Sequence, residues 1–263
     1  MSSQGDPLIE QSQANEPAAP VSRPQAGVLA LSSRVPYVTY GLLGLTVVIY
    51  ALQLILENAL GGQDWLTAFG ARSNEWIRAG EIWRLITPVF LHASPPHLLF
   101  NMYALYVLGT GLELNFGHGR FFCLYFLGAF SGNVLSFFFS NDNSYSVGAS
   151  TAIFGLVAAE GIFLFQNRKW FGRHVRRGIG NIIFIVAINL FIGLTPGIDN
   201  WGHIGGLLGG LIFTSLAGPL FNIAGEPPAV RLLDGRTFRD TIIGAATVIT
   251  IFGALAVWGM ISA

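Results

Sequence analysis

The hydrophobic residues of this chain come in long blocks. A helix that crosses the hydrocarbon core of a bilayer needs roughly 20 mainly apolar residues. Seven stretches meet that requirement: 36–56, 95–113, 120–140, 149–166, 179–197, 202–221 and 241–262. In the sixth block Gly202, Gly206 and Gly210 recur every fourth residue, a spacing that lets membrane helices approach closely. The pattern predicts an all-α polytopic membrane protein, a bundle of seven transmembrane helices. It divides the chain into a disordered cytoplasmic tail (1–35), a six-span core (36–221) with a long first loop (57–94), a cytoplasmic linker (222–240) and a seventh span (241–263).

Composition agrees with a membrane protein. Of the 263 residues, 52% are apolar and only 11% charged, against about 25% charged in a soluble domain. The tail is rich in Gln, Ser, Pro and Ala, without the apolar centre of a signal peptide or the Arg content of a transit peptide. Residue 2 is Ser, which excludes myristoylation. No basic stripe interleaved with aromatics points to nucleic acid, and the single cysteine, Cys123, cannot form an internal disulfide.

Charge sets an orientation. With a cytoplasmic N-terminus, the inside holds Arg23, Arg34, Arg120, the cluster Arg168, Lys169, Arg173, Arg176 and Arg177, and Arg231, Arg236 and Arg239. The outside holds only Arg72, Arg78 and Arg84. The positive-inside rule then predicts N-in and C-out. The first loop carries Phe69, Trp65, Trp76 and Trp83. Two readings stay open for it: partial immersion in the membrane interface, where Trp is favoured, or an ordinary packed loop.

Polar side chains inside spans are costly and usually have a role. Three groups stand out. "HASPPHLLFN" holds His92, His97 and Asn101, with Ser94 as a cap and Pro95 and Pro96 in a first helical turn. "SVGASTAIFG" places Ser150 just inside the fourth span, and "DNWGHIGGLLGG" places His203 just inside the sixth. Spans two, four and six run in the same direction. His97, Asn101, Ser150 and His203 therefore share one depth below the outer surface. A serine with a histidine base in reach is the nucleophile of acyl transfer. Unpaired N–H groups at the start of span four, with Asn101 and His97, supply donors for an oxyanion. Asp142 and Asp199 fall in loops, so the pattern predicts a dyad and not a triad.

Taken together these residues resemble the rhomboid intramembrane serine proteases, over roughly residues 36 to 263. "GASTAIFG" resembles the family's Gly-x-Ser motif, "HIGGLLGG" its histidine-and-glycine motif, "HASPPHLLFN" its His-His-Asn motif, and "EIWRLITPVF" the Trp-Arg motif of its first loop. The resemblance implies Ser150 as nucleophile and His203 as general base. It implies an oxyanion hole of His97, Asn101 and the Ser150 backbone, with Gly148, Phe154, Gly206, Gly210, His92, Trp83 and Arg84 in support. It implies a six-plus-one arrangement and hydrolysis of transmembrane segments of other membrane proteins near their outer ends, with no cofactor and no metal. Thr151 departs from the family, which commonly has Gly there. A bacterial plasma membrane is the expected setting.

Blander readings exist for each residue. Ser150 could pack or bond to its own helix, His203 could be an interfacial histidine, and Asn101 could join helices. A metal on His92, His97 and His203 is disfavoured, because no carboxylate or thiolate accompanies them and no HExxH pattern is present. A relative that binds and escorts membrane proteins without cutting them typically lacks the Ser or the His. A transporter would line both leaflets with polar residues, whereas here they lie on one side.

Overall fold

The computed structural model describes residues 35–141, 143–225 and 231–262. The expected tail, with Arg23 and Arg34, and the loop residue Asp142 lie outside the described residues. Ten helices appear among those described: α1 (Tyr37–Ala59), α2 (Trp65–Gly70), α3 (Asn74–Arg78), α4 (Pro95–Phe116), α5 (His118–Phe139), α6 (Ser150–Gln166), α7 (Arg168–Phe171), α8 (His174–Ile192), α9 (Asn200–Ala217) and α10 (Phe238–Ile261). The seven long ones overlie the seven predicted blocks. Four of them, α1, α5, α8 and α10, are both long and apolar enough to cross a membrane on length and composition. The fold is all-α and polytopic.

Two short ribbons accompany the helices. β1 (Arg72–Ser73) pairs antiparallel with β2 (Tyr145–Ser146), Arg72 opposite Ser146. β3 (Phe221–Ala224) pairs antiparallel with β4 (Arg231–Asp234). The second ribbon lies in the segment expected as linker, so that segment is partly folded. Arg120 of α5 fastens it, reaching the Asp234 carboxylate, the Arg236 carbonyl and the Thr241 hydroxyl.

α5, α6 and α9 form the centre. Their approach is set by residues without side chains. A Cβ at Gly206 would overlap the Thr151 carbonyl oxygen, and one at Gly210 that of Gly155. A Cβ at Gly128 would lie 3.3 Å from the Ala152 carbonyl oxygen. Backbones this close gain dispersion contact where lipid supplies no hydrophobic drive. α5 is the most enclosed of the candidate spans, and α8 the least, with Val175 its only buried residue.

The polar ends are tied. Glu113 of α4 accepts from the Val38 and Thr39 N–H groups and the Thr39 hydroxyl, and so caps the start of α1, which has no cap of its own. Thr237 and Asp240 form a capping box at α10.

The first loop is ordered by buried polar groups, while its aromatics face outward. Trp65, Phe69, Trp76 and Trp83 are all exposed, but Arg72, Asn74 and Arg84 are buried. Arg84 donates to the carbonyls of Ala71 and Ala68 at 2.8 Å each and to Glu81 at 2.7 Å.

Candidate active site

The loop before α6 ends in Gly148, whose φ of +127° suits a residue without Cβ. Its N–H donates to the Pro88 carbonyl at 2.9 Å. Two residues later α6 begins at Ser150, so the Ser150 N–H lies in the first turn, outside the intrahelical ladder.

From α9, His203 brings Nε2 to 3.0 Å from the Ser150 hydroxyl oxygen. The imidazole stacks on Phe154, one turn below Ser150, with centroids 4.1 Å apart and planes 8° from parallel. That stacking fixes the ring plane, and the Gly206–Thr151 contact fixes how near α9 stands to α6. His203 is 8% exposed and its Nδ1 has no hydrogen-bond partner among the described residues. Asp199 lies four residues before His203 but serves α9 instead. It caps the helix through the Gly202 N–H at 2.8 Å and accepts from Ser136 at 2.6 Å, with Arg72 3.9 Å away. No carboxylate orients the imidazole among the described residues.

α4 supplies the opposite wall. Ser94 caps it, accepting from the His97 N–H at 3.4 Å. His97 and Asn101, one turn apart, face Gly148. A Cβ on Gly148 would lie 2.7 Å from His97 Nε2 and 3.4 Å from Asn101 Nδ2. Asn101 is buried and its Nδ2 has no hydrogen-bond partner among the described residues, an unusual state for a buried donor. His92 packs behind His97, ring centroids 5.1 Å apart. Its backbone is held by Gln53, which both donates to its carbonyl and accepts from its N–H. Thr151 turns its methyl toward Gly132 and Gly202, so its side chain is spent on packing between helices.

Ser150, His203, Phe154, Gly148, His97 and Asn101 are thus gathered into one cluster, with His92 adjoining and Gly206 and Gly210 at the seam that carries His203. Trp83 and Arg84 lie apart from it. Trp83 stacks on Phe69 and donates to its carbonyl, and Arg84 binds loop carbonyls. Their contacts shape the first loop.

Sequence reasoning misses one supporting network. Arg72 donates to Ser146 and Ser144 at 3.1 Å each and to Asn74 at 2.5 Å. Asn74 in turn donates to the Phe137 and Ser140 carbonyls at 3.0 Å. This network joins the first loop, the end of α5 and the segment that delivers Ser150. Its one hint in the sequence is a run of polar residues in short loops, which carries no periodicity.

The rhomboid domain model matches residues 79–219 of the chain, from the first loop to the end of α9. The chain belongs to the rhomboid family. It is an integral, multi-pass membrane protein. It is 41% identical over 184 residues to the rhomboid protease GluP of Bacillus subtilis, across 70% of this chain and 35% of that protein. It is 39% identical over 166 residues to RHOMBOID-like protein 1 of Arabidopsis thaliana, across 62% of this chain and 42% of that one. It is also 39% identical over 150 residues to Rhomboid-like protease 1 of Toxoplasma gondii, across 55% and 50%. The chain therefore spans between a third and a half of the length of these rhomboid relatives.

Proposed function

We propose that this rhomboid is an intramembrane serine endopeptidase that cuts transmembrane segments of other membrane proteins near their outer ends. The observation that carries the reading is the 3.0 Å approach of His203 Nε2 to the Ser150 hydroxyl in the partly buried seam between α6 and α9. Ser150 Oγ attacks the scissile carbonyl carbon and His203 Nε2 takes its proton. The tetrahedral oxyanion accepts hydrogen bonds from the Ser150 N–H, His97 and Asn101. The unpartnered Nδ2 of Asn101 supports that role. His203 then protonates the departing amine nitrogen, the C–N bond breaks, and water releases the acyl group from Ser150 by the reverse proton path. An intact helix keeps its carbonyls engaged, so a locally unwound stretch is the expected cut site. We read the seven long helices as seven crossings; with that topology the excess of Lys and Arg on one side supports a cytoplasmic N-terminus, and a bacterial plasma membrane is the proposed setting.

Fluorophosphonate labelling tests this. Purified protein in mild detergent is treated beside Ser150→Ala and His203→Ala, and the added covalent mass is read. Labelling of the wild type that vanishes in both variants supports an activated serine with His203 as its base. A folded wild type that neither labels nor cleaves a panel of transmembrane substrates overturns the reading.

A further inference from the structure

A second feature lies at the opposite end of α6 from Ser150. Between α6, α8 and α9 runs a groove of about 560 Å³, walled by Ala158 and Ile162, by Ile182 and Val186, and by Leu207 and Leu211. Every lining residue is apolar. It follows α8 for about two turns, roughly 10 Å at the helical rise. A second hollow of about 460 Å³ shares the walls Phe165 and Ile179 with it and opens where α6 gives way to α7 and α8. Arg168 and Arg176 line this mouth.

The mouth is cationic and prearranged. Arg168, Lys169, Arg173, Arg176 and Arg177 fall within ten residues and all are exposed. None of the five pairs with a carboxylate among the described residues. Arg168 is positioned by its bond to the Phe165 carbonyl at 3.0 Å and by that ring, 4.7 Å from its guanidinium carbon. The turn beneath is anchored to β3, since Trp170 donates to the Phe221 carbonyl at 2.8 Å and Phe221 donates to Asn167 at 2.8 Å.

We propose that the joined groove and mouth form a site for an anionic phospholipid. One acyl chain lies in the groove between α6, α8 and α9, and the phosphate meets Arg168 and Arg176. Charge complementarity selects the occupant. An apolar groove alone would accept any acyl chain, but guanidinium groups at its mouth with no carboxylate partner among the described residues favour a headgroup with net negative charge. The lipid would fill the space beside α8, the long helix with the least protein cover.

The test uses the full-length protein, delipidated in detergent and studied by native mass spectrometry. It is titrated with phosphatidylglycerol or with phosphatidylcholine of the same chains. Phosphatidylglycerol should bind at roughly tenfold lower concentration. Arg168→Gln with Arg176→Gln should remove that preference and leave phosphatidylcholine binding unchanged. In the wild type, a phosphatidylglycerol carrying a photoreactive tail should crosslink to α6, α8 and α9, and Ala158→Trp should abolish those crosslinks. Equal affinity for the two lipids, or a preference that survives the double substitution, overturns the proposal. Crosslinks elsewhere, or full displacement of the lipid by glycerol phosphate alone, overturn it as well.

Discussion

Asp199 lies one helical turn before His203 and gives its carboxylate to the Gly202 N–H and the Ser136 hydroxyl, not to the imidazole. The histidine is oriented by the Phe154 face and not by an acid. A triad aspartate replaced by asparagine loses about 10⁴ in kcat. Asp199→Asn keeps a good helix cap and should keep kcat within about tenfold of wild type, measured on a transmembrane substrate. A loss of 10³ or more would show that Asp199 acts on His203 after all.

Gly148 packs against the α4 side chains His97 and Asn101, two residues before Ser150. Its φ of +127° disfavours a side chain, and the position a Cβ would take is 2.7 Å from His97 Nε2. Gly148→Ala should therefore push the His97 ring from its place beside Asn101. A misplacement of about 1 Å costs roughly 10² in rate. The expected result is a kcat loss of about that size with KM little changed, since the proposed oxyanion contacts form in the transition state.

Several of these relationships are legible in the amino-acid sequence. Ser150, His203, His97 and Asn101 announce themselves because polar groups are rare and costly in apolar spans. The glycines of α9 do so because four-residue spacing is a helix-packing signal. Other parts leave no such trace. β1 and β2 are two residues each and pair Arg72 with Ser146 and Ser73 with Tyr145, far apart in the chain, and are too short for any alternation to appear. Arg72 reads in the sequence only as a loop charge, yet it is 1% exposed and joins three segments. Hydropathy predicts the fifth span at 179–197, but α8 spans His174–Ile192. It misses the first turn, where the exposed charges of Arg176 and Arg177 lower the hydropathy of a segment that is nonetheless helical. It overruns the end, where the chain enters Gly193 to Gly197 with Pro196, a poor continuation of a helix.

Seam glycines and open glycines should respond oppositely to alanine. A Cβ at Gly206 would overlap the Thr151 carbonyl oxygen, whereas at Gly253 of α10 nothing lies within 4 Å. Gly206→Ala must part α6 from α9 and lengthen the Ser150–His203 approach. It should lower thermal stability by about 1–3 kcal/mol, as overpacking does, and reduce fluorophosphonate labelling. Gly253→Ala should be neutral or stabilising by up to about 1 kcal/mol. Equal effects at the two positions would contradict the close approach of α6 and α9.

His92 should make the protein sensitive to acid. It sits in the loop before α4, 2% exposed, and among the described residues only the Phe90 backbone offers its ring a hydrogen bond, too weak to offset burial. Burial, and His97 beside it, push its pKa from 6.5 down to about 3. The folded state thus keeps the ring neutral where the unfolded chain would protonate it. The unfolded state binds more protons between those values, so stability contributed by this residue is intact above about pH 6.5 and is lost as pH falls toward 3. His92→Phe removes the titration and leaves no buried ring nitrogen unsatisfied. Thermal melts from pH 7.5 to 4 should show the wild type losing stability faster than His92→Phe, with the gap opening below about pH 6.5. Parallel curves would mean that the ring finds a partner on protonation, and that the loop rearranges to provide it.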